Sequence, residues 1–368
     1  MSNSLKDKFF GCIAGSQIAS SMGAVVEGMS YAAIEEKYGT FDSLQPYEHY
    51  NNGWMREPGT TEDGIERQKM LITAIVEKKD RINAEDFRAI WVRDMNPLAP
   101  CNVSEPFEAA LLAMAKAGLP ARDIGKYCDY ANLCSFSRAC HPIGLINAGD
   151  EKNAAEDVME VGQLYQSSNS RGLKWACVTA VAIAAATKPG ATVDSVLQSV
   201  FDTCTQRKGD RGDWYATYAG EEVAQEIQSA LDKTKHCKNF RELRVAFDSI
   251  YMAYGIPYSQ SFANEVVTKA ICIFKMVGGD VKDAIIAAVN MGRDTDCCAA
   301  VAAGISGALS GAGPLPREWI EQVDYAVTLN PYTNSKRTLK ESADGMYNAY
   351  ISRFEKAAAT AKMMGILI

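Results

Sequence analysis

Several features are scarce in this 368-residue sequence, and each scarcity excludes a class of protein. It has no long run of lysine or arginine, its formal net charge is −7, and its pI is about 5.2. A surface that follows nucleic-acid phosphates needs clustered positive charge, so nucleic acid is not expected as a partner. The longest apolar runs, 178–186 and 297–309, are too short to span a bilayer, and no membrane partner is expected.

The cysteines follow neither a disulfide nor a zinc pattern. Their number, 11, is odd, and no Cys-x-x-Cys pair occurs. Several lie in apolar stretches, including the adjacent Cys297 and Cys298, which is typical of a reducing compartment. The first residues show no basic region followed by an apolar core and a cleavage site, so no signal peptide is expected. We therefore predict a cytoplasmic protein, and the sequence leaves its oligomeric state open.

The composition is 47% hydrophobic and 23% charged, which suffices for a large core. Apolar residues recur with a helical period along almost the whole chain, while alternating strand patterns are scarce. The predicted helices span 5–22, 30–38, 64–79, 84–94, 106–117, 121–131, 151–165, 171–187, 192–206, 217–234, 239–252, 260–276, 280–290, 296–311, 316–328 and 337–362. No linker or repeat divides them, so we predict one all-α domain over 1–368, with many helices crossing at steep angles.

Two of these helices carry stripes of small residues. One stripe is Gly11, Gly15, Ala19 and Gly23; the other is Ala300, Gly304, Gly307 and Gly311. Glycine inside a helix costs about 1 kcal/mol relative to alanine, so a repeated cost indicates close approach of two backbones. We predict that these are inner helices. The segments 40–63, 94–106, 132–150 and 207–216 are predicted to be loops, and loops of this length are often functional.

Two acidic clusters stand at predicted helix starts. Asp294-Thr295-Asp296 precedes the second small-residue helix, and Thr61-Glu62-Asp63 precedes the helix at 64–79. If the two helix starts meet, their carboxylates need a cation, and oxygen-rich sites favour Mg²⁺ or Mn²⁺. The alternative is that each cluster only caps its helix, since Asp, Thr and Glu are favoured there. Taken singly, each cluster fits a cap better than a metal site.

The ordered set of motifs resembles the ADP-ribosylglycohydrolase family over most of the chain. The set runs Gly11-Cys-Ile-Ala-Gly15, Gly23-Ala-Val-Val-Glu27, Thr61-Glu-Asp63, Arg138-Ala-Cys-His-Pro142-Ile-Gly144 and Gly292-Arg-Asp-Thr-Asp296. The resemblance implies a compact orthogonal helical bundle with two divalent cations, Mg²⁺ or Mn²⁺.

The resemblance also assigns expected roles. Its metal ligands are Thr61, Glu62, Asp63, Asp294 and Asp296. Its catalytic candidates are Glu27, as acid or base, and Asp294. Its candidates for substrate binding are Ser137, Arg138, Gly292 and Arg293.

Some positions depart from the family pattern. Glu62 stands where Asp is usual, and Cys297 stands where a ligating Thr is common, although a thiol is a poor ligand for Mg²⁺. The segments 134–136 and 166–170 also differ from the family near the expected substrate pocket. His141 is expected to be a satisfied loop histidine rather than a substrate contact, and the segment 210–215 either covers a ligand or forms a plain surface loop.

The predicted function is hydrolysis of a ribosyl-type glycosidic bond, with water activated at a dinuclear metal centre. The expected partner is an ADP-ribosylated or small-molecule substrate. Two alternatives stay open. One is hydrolysis of free nucleosides or other small glycosides, and the other is a non-catalytic, crystallin-like member of the family.

Overall fold

The computed structural model describes residues 4–48, 53–96, 106–168, 170–205, 214–251, 260–331 and 333–366. The described helices are α1 Leu5–Ala24, α2 Tyr31–Tyr38, α3 Asp63–Lys78, α4 Ala84–Asp94, α5 Pro106–Lys116, α6 Ala121–Ile124, α7 His141–Ile146, α8 Glu151–Val161, α9 Arg171–Ala186, α10 Val193–Thr205, α11 Trp214–Thr234, α12 Phe240–Tyr251, α13 Ala263–Met276, α14 Val281–Val289, α15 Thr295–Ser310, α16 Arg317–Val327 and α17 Leu339–Ile366. Two short strands, β1 Tyr47–Glu48 and β2 Met55–Arg56, pair antiparallel. No helix in these ranges is long and apolar enough to cross a membrane.

The all-α prediction is confirmed, and each predicted helix has a counterpart in the structure. Local sequence explains many of the helix starts, because the Ser4 hydroxyl accepts from the Asp7 amide and the Ser170 hydroxyl from the Leu173 amide. The structure differs in the predicted loops. Helix α7 lies inside 132–150, and the two strands lie inside 40–63. All three elements are too short to show a period in the sequence.

The two glycine-striped helices, α1 and α15, lie against each other at the centre of the molecule. Gly11–Ala24 of α1 and Thr295–Ala308 of α15 are buried throughout, as expected for inner helices. A Cβ added to Gly307 would overlap the carbonyl of Gly11 and lie 2.8 Å from the Cys12 nitrogen. Only glycine permits this approach, which confirms the prediction of close backbone packing.

The packing of these helices determines where the acidic residues meet. The start of α1 lies beside the end of α15, at Gly11 and Gly307, and the end of α1 lies beside the start of α15. At that second crossing, a Cβ on Gly23 would be only 2.6 Å from the Cα of Asp296. The pair is therefore antiparallel, and the chain leaving α1 passes the acidic residues that begin α15.

Candidate metal centre

The segment that follows α1 is joined to the segment that precedes α15 by backbone hydrogen bonds. The Gly28 amide donates to the Arg293 carbonyl at 2.8 Å, and the Arg293 amide donates to the Met29 carbonyl at 2.8 Å. Glu27 and Asp294 are the residues next to this pair of bonds. These backbone hydrogen bonds thus bring Glu27 and Asp294 close together.

The carboxylates of Glu27, Asp294 and Asp296 form one cluster. Each offers an oxygen, and these three oxygens lie within 4.8 Å of one another. Asp294 and Asp296 are buried, whereas Glu27 is half-buried. Three carboxylate oxygens at this spacing suit a hard divalent cation such as Mg²⁺ or Mn²⁺. The cluster fits one such ion.

Asp294 also caps α15. Its Oδ1 accepts from the Cys297 amide at 3.2 Å. The capping interpretation is therefore right for this residue, but it accounts for only one of its two oxygens. The other oxygen, Oδ2, is 3.7 Å from the Cys134 thiol.

The motif at the start of α3 has a different environment. Glu62 occupies the N-cap position, yet its side chain makes no capping hydrogen bond. Its Oε1 pairs with Arg56 Nε at 2.8 Å and accepts from the Tyr47 hydroxyl. Burial and the Glu62 carboxylate raise the pKa of Tyr47 well above its usual value, so this hydroxyl stays a donor. Thr61 Oγ1 accepts from Lys69 Nζ at 2.9 Å.

Asp63 lies between two arginines. Its Oδ2 is 2.5 Å from Arg67 Nη2 and 2.7 Å from Arg138 Nη2. The other terminal nitrogen of Arg138, Nη1, is 3.3 Å from Asp296 Oδ2. Arg67 also pairs with Glu108, through Nε and Oε1 at 2.5 Å. The two acidic motifs are therefore joined by the Arg138 guanidinium, which lies at their junction.

Two thiols adjoin this junction. The Cys297 sulfur is 3.1 Å from Arg138 Nη1, and Cys134, Asp294 and Cys297 form a second group whose potential ligand atoms lie within 4.8 Å. The pKa of Cys134 is about 11, because its hydrogen bond with Cys297, which favours the thiolate, is outweighed by burial and the nearby carboxylates. Burial and the Cys134 contact raise the pKa of Cys297 well above its usual value. Both thiols are protonated near neutral pH.

The residues predicted to bind substrate are buried or lie close to other parts of the protein. Ser137 is completely buried in the turn before α7. Arg293 is buried and pairs with Glu265 twice, at 2.6 Å through Nε and at 2.8 Å through Nη2. Gly292 has φ +73°, and a Cβ there would lie 2.6 Å from the Tyr31 nitrogen. Their roles as substrate contacts stay predictions.

His141 and the 210–215 segment have separate outcomes. His141 is fully buried at the start of α7, and its Nε2 donates to the Ala300 carbonyl at 2.9 Å, which agrees with a packing role. Residues 210–213 lie outside the described ranges, whereas Trp214 and Tyr215 begin α11 and are not part of a loop; whether the segment covers a ligand stays open.

Sequence reasoning missed the basic and acidic residues that surround the motifs. One signal was available, because Arg67 follows Asp63 by four positions, the spacing at which helical side chains of opposite charge pair. Glu265 carried the same kind of signal, because Lys269 follows it by four positions, but its pairing with Arg293 and that of Arg56 with Glu62 are determined by the fold.

Comparisons with known proteins agree with these observations. The sequence model of the ADP-ribosylglycohydrolase family matches residues 1–355. An uncharacterized protein from Archaeoglobus fulgidus is 24% identical over 327 residues, which cover 86% of this chain and 92% of that protein. A solved structure described as an ADP-ribosylglycohydrolase-related protein complex is similar in fold, with a TM-score of 0.62 and 14% identity, covering 95% of this chain and 99% of the other.

The chain belongs to the ADP-ribosylglycohydrolase family. Membership in this family supports hydrolase activity and the all-α fold described above.

Proposed function

We propose that the protein is a metal-dependent glycohydrolase that cleaves a ribosyl-type glycosidic bond. The observation that carries the proposal is the cluster of Glu27, Asp294 and Asp296, in a chain of a glycohydrolase family. Arg138 offsets part of this negative charge at Asp296, and a cation bound among the three carboxylates would offset the rest. The same cluster could supply the acid–base groups that hydrolysis of a glycoside needs.

The resemblance implies two Mg²⁺ or Mn²⁺ ions, and the residues support the two positions unequally. The Glu27, Asp294 and Asp296 cluster fits one ion. Of the residues expected to hold the other ion, Glu62 and Asp63 each pair with arginine. We therefore propose one divalent cation, Mg²⁺ or Mn²⁺, held by Glu27, Asp294 and Asp296.

When bound, such a cation would lower the pKa of a coordinated water and orient sugar hydroxyls. Glu27 is the candidate for proton transfer, because it is half-buried whereas the two aspartates are buried. Asp294 is fixed by its hydrogen bond from the Cys297 amide and can stabilise positive charge that develops on the sugar. Asp296 is oriented by the Arg138 guanidinium.

The proposed substrate is an ADP-ribosylated compound, with free nucleosides or other small glycosides as the second candidate. The second candidate is supported by segments that depart from the family pattern and have structural contacts here. Gln166 is buried, and its side-chain amide donates to the carbonyls of Leu133 and Tyr130 at 2.9 and 3.2 Å. Cys134 is buried against Asp294. Gln166 and Cys134 thus contact other parts of the protein, so this chain is not required to make the substrate contacts that the family makes at these segments.

The test is a panel of ADP-ribosyl peptides, ADP-ribose derivatives and nucleosides incubated with Mn²⁺, with released sugar measured by mass spectrometry. For the substrate that is cleaved, Glu27→Gln should lower kcat by about 100-fold or more, the usual size for a lost acid–base group. Glu36→Gln is the matched control, because Glu36 is an exposed residue of α2. Undiminished kcat in Glu27→Gln would refute the assigned role. Failure to bind Mn²⁺ together with no cleavage would favour the non-catalytic alternative.

A further inference from the structure

We infer that the guanidinium of Arg138 takes the place of one of the two divalent cations, so that the protein binds a single divalent ion. The inference deepens the proposed function and rests on it for the ion at Glu27, Asp294 and Asp296. The remainder of the acidic site is then neutralised by the chain's own basic side chains.

Arg138 lies between the two acidic motifs. Arg138 reaches both acidic motifs, with Nη2 2.7 Å from Asp63 Oδ2 and Nη1 3.3 Å from Asp296 Oδ2. A cation shared by the two motifs would have to lie between these carboxylates, where the guanidinium already lies. Arginine stays protonated at all physiological pH values, and its planar fork suits two oxygen acceptors. Arg138 is only 8% exposed, so water screens these pairs weakly.

The surroundings of Arg138 accommodate its side chain. Gly64, directly after Asp63, leaves the space that the Arg138 stem fills, and a Cβ there would lie 2.7 Å from Arg138 Cγ and closer still to the next atoms of the side chain. Arg138 also donates from Nη1 to the Cys297 sulfur at 3.1 Å. The guanidinium therefore has fixed contacts on α3 and α15, rather than one surface ion pair.

Basic side chains surround the acidic motif at the start of α3. Glu62 pairs with Arg56 at 2.8 Å, and Asp63 pairs with Arg67 at 2.5 Å in addition to Arg138. Of these basic groups, Arg138 is the one that contacts carboxylates of both motifs, and an ion coordinated by Asp63 and Asp296 at about 2.0–2.6 Å would have to displace it. Among the described residues, neither group with metal-binding spacing includes Glu62 or Asp63.

The experiment counts bound Mn²⁺ per chain in the full-length protein after equilibrium dialysis, by elemental analysis and by electron paramagnetic resonance. We expect one ion per chain and the spectrum of an isolated Mn²⁺, rather than that of a coupled pair about 3.5–4 Å apart. A count of two with a coupled spectrum would overturn the inference and leave the proposed function standing. A count of zero would overturn both, so the two failures are distinguishable.

Variants of Arg138 test the cause. Arg138→Met removes the charge and should raise the count from one ion to two, whereas Arg138→Lys keeps a cation and should stay at one. The matched control is Arg81→Met, which removes another arginine that pairs with a carboxylate, here Asp157 at 2.6 Å; it should also stay at one. A folded Arg138→Met that still binds one ion, or an Arg138→Lys that binds two, contradicts the inference. If Arg138→Met does not fold, the wild-type count and spectrum decide.

Discussion

Replacing His141 by glutamine should change how the stability of the protein depends on pH. His141 is fully buried between α7 and α15, where its Nε2 donates to the Ala300 carbonyl at 2.9 Å. Burial lowers its pKa from 6.5 to about 4, since a charged imidazolium is poorly solvated there, and the backbone hydrogen bonds only partly oppose this. The folded protein therefore binds this proton less readily than the unfolded chain does.

The sign and the size follow from this difference. Because the pKa of His141 is lower in the folded state, its neutral form contributes to the free energy of unfolding. This contribution is fully present above pH 6.5 and is lost as the pH falls toward 4. At about 1.4 kcal/mol per pKa unit, the complete loss is about 3 kcal/mol, and roughly 2 kcal/mol of it is reached near pH 5. Glutamine has no titrating group, yet its amide can still donate to the Ala300 carbonyl.

The assay is urea unfolding followed by helical circular dichroism, at about pH 7.5 and about pH 5. Between these values the wild-type protein should lose about 2 kcal/mol more free energy of unfolding than His141→Gln. Carboxylates common to both proteins contribute equally and cancel in the comparison. The control is His236→Gln, at an exposed position, which should keep the wild-type pH dependence. Equal losses in the wild-type protein and His141→Gln would refute the reasoning.

Two further predictions concern packing and thiols. Gly307→Ala should destabilise the protein by about 2–3 kcal/mol, since its Cβ overlaps the Gly11 carbonyl; Gly313→Ala, with open space around its Cβ, should leave the thermal unfolding midpoint nearly unchanged. A midpoint for Gly307→Ala equal to the wild-type value would contradict the packing described. At pH near 8, mass-mapped alkylation should modify the partly exposed Cys237 well before Cys134, which is buried and has a pKa of about 11. Equal alkylation rates for the two thiols would contradict the buried environment and raised pKa described for Cys134.

The helices were predictable because their evidence is local. Apolar periodicity and capping residues such as Ser4 and Ser170 lie within a few positions of the structure they determine. The central pair α1 and α15 was predictable for a different reason, since only a close partner explains repeated glycine in a helix. Helix α7 was missed because its six residues include Pro142 and Gly144 and show no period.

The site was predictable only in part. The order of motifs placed Glu27, Asp294 and Asp296 together through a family resemblance, and the structure brings their carboxylates within 4.8 Å. The sequence pattern could not show which cations face them. The partner of Arg293, Glu265, lies 28 positions away and depends on how separate segments pack, whereas the pair of Glu62 with Arg56 depends on the conformation of the turn between β2 and α3.

The two acidic motifs look alike in sequence, but the protein compensates their charges differently. Around the α3 motif, arginine and lysine side chains reach each of the three residues. At the start of α15, the described contacts of Asp294 to the Cys297 amide and the Cys134 thiol are both with uncharged donors. Burial of a carboxylate among uncharged groups favours an added cation far more strongly than burial beside a guanidinium. The number of divalent ions that such a site is expected to bind therefore depends on which carboxylates pair with arginine or lysine, as well as on how many carboxylates it contains.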